Sequence, residues 1–143
     1  MEPTMNISTA LDPYKPYILS ITRIMTGLLL LAHGTSKHLG FPIADHLPPA
    51  GSLPWVAGWF ELVCGFLIAI GLLTRPAAFV ASGLCAFAFF IAHFPKSFFP
   101  VVNGGDAAVL YCFIFLYFVF AGAGPLSIDA LFGNRAAGSL KTA

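Results

Sequence analysis

The chain has 143 residues, of which 58% are hydrophobic and 9% charged, whereas an ordinary soluble domain has about 25% charged residues. Its mean hydropathy is +0.86, and a water-soluble protein of this size could not bury so many apolar side chains. The formal net charge of +1 provides no basic surface, so nucleic acid is excluded as a partner. The composition predicts an integral membrane protein whose main partner is the lipid bilayer.

Four apolar segments are long enough to cross a bilayer: residues 16–39, 53–73, 76–94 and 104–123. A spanning helix needs about 20 residues, since each residue adds about 1.5 Å. β-Strands do not fit, because the segments lack a period of two and exceed the roughly 9 to 11 residues of a membrane strand. The prediction is an all-α integral membrane four-helix bundle that forms a single domain over residues 1–143.

The first span contains basic side chains at two depths. His33 lies about six residues, or roughly 9 Å, from the far end of the span, and Lys37 shares its helix face because it follows by one turn. Arg23 lies roughly 15 Å from His33 along the helix axis. Two interpretations of Arg23 stay open: its side chain reaches the nearer membrane surface, or it turns inward and pairs with Glu61.

The second and third spans are joined by the short sequence GLLTRPAA, which makes them antiparallel neighbours. Glu61 lies about eight residues, or roughly 12 Å, from the start of the second span. An ionisable group at such a depth costs about 2.5 to 3.5 kcal/mol on insertion scales, so we expect Glu61 to face protein, water or a ligand. Small residues allow close packing between helices, and we expect this role for Gly27, Gly34, Gly58, Gly65, Gly71 and Gly83.

The connection between the third and fourth spans carries the remaining proton-active residues. His93 ends the third span, and Asn103 is the predicted N-cap of the fourth helix. Asp106 follows in the first turn of that helix, where the helix dipole favours an acid. All four spans therefore bring a titratable side chain toward the same leaflet. This agreement predicts a polar pocket near one face of the membrane.

The distribution of cations predicts the orientation. An even number of spans places both termini on one side of the membrane. The terminal side carries Lys15, Arg75, Arg135 and Lys141, and the opposite side carries Lys37 and Lys96. The positive-inside rule therefore predicts a multi-pass membrane protein with cytoplasmic N and C termini and a pocket near the outer face of the membrane.

Several short motifs, in their order along the chain, resemble those of one family. They are R-x-x-x-G from Arg23, H-G-x-x-K from His33, E-L-x-x-G-x-L-x-x-x-G-L-L-T-R from Glu61, H-F-P-x-x-F from His93 and N-G-G-D from Asn103. Together they resemble the DoxX family of small four-helix bacterial membrane proteins, many of which carry N-G-G-E where this chain has Asp106. The family takes its name from a subunit associated with a terminal quinol oxidase, so the resemblance implies membrane redox chemistry near quinones.

The resulting hypothesis is a quinone/quinol site, alone or in complex with a redox-partner subunit. Quinol oxidation releases two protons with two electrons, and both histidine and a buried carboxyl group can accept protons near neutral pH. The predicted catalytic residues are His33, Glu61 and His93; Lys37, Asn103 and Asp106 complete the predicted quinone-binding set. Phenylalanines are expected to line the slot: Phe87, Phe89, Phe90, Phe94 and Phe98.

Other functions stay open. The same residues would suit a transporter for a proton, a metal ion or a small solute, or they would hold together a non-catalytic assembly subunit or a homo-oligomer. Alternatively, His33 and His93 would serve as the two axial ligands of a haem or as two of the ligands of a copper ion. No short cluster of histidines and cysteines with ligand spacing accompanies them, which favours a quinone over haem or copper and assigns no metal ligand.

The remaining histidines and the cysteines are interpreted as structural. His38 and His46 are expected to face solvent. Cys64, Cys85 and Cys112 are single residues in helix interiors with no C-x-x-C pair, so they are interpreted as packing residues rather than as a redox centre.

Overall fold

The computed structural model describes residues 10–43 and 47–139, with side chains up to residue 133. Every regular element in this part of the chain is helical, which confirms the all-α prediction for it. The main helices are α1 (Lys15–Leu39), α2 (Leu53–Ile70), α3 (Thr74–Ala88), α4 (Pro100–Asn103), α5 (Asp106–Ala121) and α6 (Ile128–Ser139). His46, the Arg135 side chain and Lys141 lie outside the described part of the structure.

Three of the helical runs are long and apolar enough to cross a membrane. Among the described residues these are Asp12–Leu39, Leu53–Ile70 and Thr74–Lys96. The fourth apolar helix, α5, has 16 residues, which at about 1.5 Å per residue gives roughly 24 Å, somewhat less than the hydrocarbon core of a typical bilayer. The fourth crossing and the orientation of the termini therefore stay predictions.

Helices α1 and α2 form one closely packed pair. A Cβ atom at Gly27 would lie 2.6 Å from the backbone nitrogen of Ala69, and one at Gly65 would lie 2.6 Å from that of Leu31. Because a real Cβ cannot approach a backbone so closely, these glycines allow the two helices to touch through their main chains. The predicted packing role is thus confirmed here. It is wrong for Gly83, where an added Cβ would meet nothing within 4 Å.

Helices α3 and α5 form the second pair, in which small side chains of α3 pack against large side chains of α5. Small residues of α3, namely Ala77, Ala78 and Ala81, are buried together with the large rings of Phe115 and Phe118 on α5. The two pairs are joined by a tight turn between α2 and α3, in which Gly71 has φ +69° and Leu73 has φ +50°. We call this end of the bundle the turn end, and the opposite end, with the connections from α1 to α2 and from α3 to α5, the loop end.

Arg23 is the centre of a polar network at the turn end, and both interpretations of it are wrong. Its side chain is completely buried. The guanidinium donates to the carbonyl oxygens of Ile68 and Ala69, each at 2.7 Å, and of Ala123 at 2.8 Å, and also to that of Leu126. Arginine suits this position because its planar fork of donors can serve several carbonyls at once. Arg23 therefore caps the carboxyl end of α2 and ties it to the segment after α5.

The start of α6 closes the same end. The Asp129 carboxylate accepts hydrogen bonds from the backbone nitrogens of Leu73 at 2.8 Å and Thr74 at 2.9 Å. The Asp129 nitrogen in turn donates to the Gly71 carbonyl oxygen at 2.8 Å. These contacts satisfy free donors at the start of α3. The Arg23 guanidinium and the Asp129 carboxylate are thus paired with backbone groups of the turn end, whereas the buried Thr74 Oγ1 has no partner among the described residues.

Candidate functional site

A cavity of about 940 Å³ lies at the loop end, between the α1–α2 pair and the α3–α5 pair. Its α2 residues come from the first half of that helix, up to Glu61, and its α3 residues from Val80 onward, so the cavity lies away from the tight turn. Most of the wall is apolar. Five larger polar or titratable side chains interrupt it: His33, Lys37, Glu61, His93 and Tyr111.

Lys37 and Glu61 form an ion pair in this wall. The Lys37 Nζ atom lies 2.5 Å from Glu61 Oε1, and the side chains are 28% and 12% exposed, respectively. The second carboxylate oxygen, Oε2, is buried and has no hydrogen-bond partner among the described residues. A buried carboxylate oxygen without a donor is energetically unfavourable. Glu61 is therefore the residue of this site that most needs a further hydrogen-bond donor.

His33 faces the same cavity from α1, and its neighbour is a tyrosine that sequence reasoning missed. The rings of His33 and Tyr111 meet edge to face, with centroids 6.2 Å apart and an interplanar angle of 86°. Tyr111 in turn stacks on the buried Phe115 ring at 5.6 Å. The pattern of α5 offered no signal for Tyr111, because α5 is apolar around its whole circumference.

His93 is oriented by an irregular stretch of chain. Residues Phe89–His93 form a π-helical segment after α3, and such segments are frequent at functional sites because they rotate the side chains that follow. His93 Nδ1 lies 3.1 Å from the carbonyl oxygen of Asn103. A carbonyl can only accept, so Nδ1 carries the hydrogen and the neutral ring keeps Nε2 as an acceptor.

Asn103 does not line the cavity, and the prediction that it caps the fourth helix is wrong. Gly105 occupies the N-cap position of α5. The Asn103 amide donates to the Ser97 carbonyl oxygen and accepts from the Gly105 nitrogen, both at 2.7 Å. Its side chain is therefore used to shape the loop that holds His93. Asn103 is a positioning residue here, since both ends of its amide already have partners.

Asp106 is also outside the cavity wall. It is the first residue of α5 and is exposed, so it stabilises the helix start rather than facing the cavity. Of the five phenylalanines predicted to line the slot, Phe87 does so. The other four pack on one another along the loop end: Phe89, Phe90, Phe94 and Phe98.

Two further predictions need adjustment. His38 does not face solvent freely, because its ring packs against Trp59 at 4.4 Å and Trp55 at 5.3 Å between centroids. Cys85 is buried in the core as predicted, but it also lines the cavity. Cys64 is buried in the same core, and no disulfide links the three thiols. Within the described residues, no three His, Cys, Asp or Glu side chains are grouped so that they could hold a metal ion.

The geometry combines a neutral set of polar groups with an apolar wall. The charges of Lys37 and Glu61 offset each other. The two histidines and Tyr111 add groups that can donate or accept hydrogen bonds. Ligand pockets of this size, mostly apolar with a few convergent polar groups, suit small organic molecules. Polar or titratable groups from four different elements therefore border one space.

Comparison with known proteins now identifies the family. The DoxX family model matches residues 18–94, more than half of the chain. The protein belongs to the DoxX family. An uncharacterized protein of Haemophilus influenzae is 41% identical over 131 residues, which cover 87% of this chain and 98% of that relative. A second uncharacterized protein of the same organism is 33% identical over 91 residues, covering 64% of this chain and 60% of that relative.

No solved structure matches the chain. The matched region, residues 18–94, contains Arg23, His33, Lys37, Glu61 and His93. Family membership and the three long apolar helices together indicate a multi-pass membrane protein. The exposed apolar side chains of these helices are then in contact with lipid.

Proposed function

We propose that this DoxX protein is a component of quinone-linked redox chemistry in the bacterial inner membrane, and that the cavity holds the quinone ring. In the proposed topology α5 makes the fourth crossing, the turn end and both termini are cytoplasmic, and the loop end faces the periplasm. The observation that carries the proposal is the convergence of His33, Glu61 and His93 on one largely apolar cavity.

The charge of the site supports a neutral polar guest. The Lys37–Glu61 pair carries no net charge, so it offers neither an anionic nor a cationic guest a net Coulomb attraction. A quinone ring is neutral and offers two oxygens that accept hydrogen bonds, and the corresponding quinol offers two hydroxyl donors. Glu61 Oε2, which has no partner among the described residues, would accept one of these hydroxyls.

The protons released by quinol oxidation define a proposed role for each residue of the site. When a quinol is oxidised, both O–H bonds break, two protons leave for acceptors at the site, and two electrons pass to a redox-partner subunit. Glu61 would take one proton, and Nε2 of His93 would take the other, since Nδ1 of that ring is held by the Asn103 carbonyl. His33 would hydrogen-bond the ring oxygen from the α1 side, and Lys37 would keep the Glu61 carboxylate in place.

The test compares two carboxyl-to-amide substitutions. The purified protein in lipid nanodiscs is titrated under reducing conditions with the quinol form of a benzoquinone that carries a decyl chain, and equilibrium binding is measured. Glu61→Gln should weaken binding at least about tenfold, because the amide cannot serve as a proton acceptor and offers one acceptor fewer. Asp106→Asn, an exposed carboxyl outside the cavity, is the matched control and should change binding less than about twofold.

Redox-difference spectroscopy of the protein, copurified with its membrane quinone, provides the second readout. The proposal is overturned if the wild type neither retains nor binds quinone, or if Glu61→Gln leaves both binding and electron transfer unchanged. If the protein retains quinone but Glu61→Gln and Asp106→Asn bind it equally well, Glu61 is not part of the quinone site.

An assembly role is the second candidate, and the Lys37–Glu61 pair favours it. An ion pair between α1 and α2 can have the sole role of holding these two helices together. Its contribution to stability would be small, since single polar contacts in membranes average about 0.6 kcal/mol. This role predicts that Glu61→Gln lowers the stability of the bundle or its retention of a partner subunit while quinone binding stays absent.

A further inference from the structure

The cavity has exposed apolar rims on two neighbouring helices. On α2 the lining residues Leu53, Val56 and Phe60 follow a helical spacing and are exposed, with Phe60 at 47%. On α3 the lining residues Val80 and Phe87 lie two turns apart and are exposed, with Phe87 at 56%. Side chains that border a cavity and remain exposed mark its mouth. Both rims lie in segments long and apolar enough to cross the membrane.

Gly83 lies between these two rim residues of α3 and widens the mouth. It is exposed and lines the cavity. An added Cβ would meet nothing within 4 Å, in contrast to the helix-contact glycines of α1 and α2. Gly83 is therefore not needed for helix packing. Because it has no side chain, it leaves an open gap in the wall of the cavity.

We infer that the cavity opens sideways into the bilayer between the outer halves of α2 and α3. The quinone that it binds is then a long-chain quinone dissolved in the membrane, and the apolar chain of the bound quinone extends through this mouth into the lipid. The inference rests on the proposed function and adds the substrate class and its route. Glu61 is buried and Lys37 is partly buried, whereas the rims on α2 and α3 are apolar and exposed; His33, on α1, is the exposed polar residue of the lining. This arrangement matches a molecule with a polar ring at one end and a hydrocarbon chain at the other.

The competing route is the loop end itself. Leu53, Pro54, Gly104 and Ala107 also border the cavity and are exposed, and through them a short, water-soluble quinone would reach the site directly from the periplasm. The two routes differ in the protein atoms that the chain of a bound quinone touches. They also differ in their response to a bulky residue at Gly83.

The experiment uses the full-length protein in nanodiscs and a quinone with a photoreactive diazirine at the end of its chain. After illumination, peptide mapping should find the label on α2 residues 56–60 and α3 residues 80–88. Gly83→Phe should lower equilibrium binding of the decyl-chain quinone at least about tenfold, since the open space accepts the ring without disturbing the fold. Gly133→Phe is the matched control on α6, where an added Cβ also meets nothing within 4 Å, and it should leave binding unchanged.

The outcomes separate the inference from the function on which it rests. If the wild type binds no quinone of either chain length, the proposed function fails and the inference with it. If quinone binds and Glu61→Gln weakens it, but the label lies on the loop-end connections or Gly83→Phe binds like the wild type, the function stands and the lateral mouth is overturned. If the ring without a chain binds as tightly as the decyl form at equal membrane concentration, the long-chain requirement is overturned.

Discussion

The two polar networks of this bundle lie at opposite ends and are built differently. At the turn end the Arg23 guanidinium donates to four backbone carbonyls and is completely buried. At the loop end the Lys37–Glu61 pair borders a cavity of about 940 Å³, and Glu61 Oε2 has no partner within the described structure. The donors of Arg23 are used by carbonyls of its own fold, whereas Glu61 keeps an acceptor without a partner among the described residues, beside a cavity larger than the one at the turn end.

The difference shows how to distinguish structural from functional polar groups inside a membrane protein. Depth and charge alone do not do so, since Arg23 and Glu61 are both ionisable residues of apolar helices. What separates them is whether the hydrogen-bonding capacity of the side chain is used up by its own fold. Three substitutions test this distinction, in order of decreasing expected effect.

The largest effect is expected for Arg23→Met. The substitution leaves the carbonyl oxygens of Ala123 and Leu126 without their guanidinium donors in a site that water cannot easily reach, so the free energy of unfolding should fall by about 3 kcal/mol or more. Thermal or SDS-induced unfolding of the protein measures this. Arg75→Met is the control, because Arg75 is exposed and, within the described residues, donates one side-chain hydrogen bond, to the Val119 carbonyl at 2.9 Å. Equal losses for the two variants would contradict the capping role of Arg23.

A smaller effect is expected for Lys37→Met. It leaves the Glu61 carboxylate without its cation and should lower the free energy of unfolding by about 2 kcal/mol, less than for a fully buried pair because Lys37 is partly exposed. The double variant Lys37→Met/Glu61→Leu should regain stability to within about 1 kcal/mol of the wild type while binding no quinone. A double variant as unstable as Arg23→Met would show that the pair serves the fold.

The smallest effect is expected for Asp129→Ala. It removes the acceptor for the Leu73 and Thr74 nitrogens and should cost about 1 kcal/mol, as the loss of a helix cap does. Asp12→Ala is its control: among the described residues Asp12 forms an exposed ion pair with Lys15 at 2.6 Å, and the loss of such a pair should have no measurable effect. Neither variant should change quinone binding. A binding change on Asp129→Ala would couple the turn end to the cavity.

Much of the candidate site could be predicted from depth along the helices. His33, Lys37, Glu61 and His93 were placed in one layer by counting residues from the helix ends, and they line one cavity. Asn103 is not the predicted N-cap, because the short helix α4 precedes α5, and Asp106 is in the first turn of α5 as predicted but does not line the cavity. Tyr111 was missed, since a tyrosine in an apolar helix has no distinguishing pattern.

The sequence by itself determined that the chain is helical and membrane-embedded, because apolar segments in lipid must satisfy their own backbone hydrogen bonds. It also predicted which titratable residues lie at similar heights along the bundle, because an α-helix rises by a fixed amount per residue. Only the tertiary structure decided that Lys37 meets Glu61 and that Arg23 meets carbonyls of α2 and of the segment after α5. The reason is physical: lipid-facing and protein-facing surfaces of a membrane helix are both apolar, so the sequence pattern does not specify how each helix is rotated toward its neighbours.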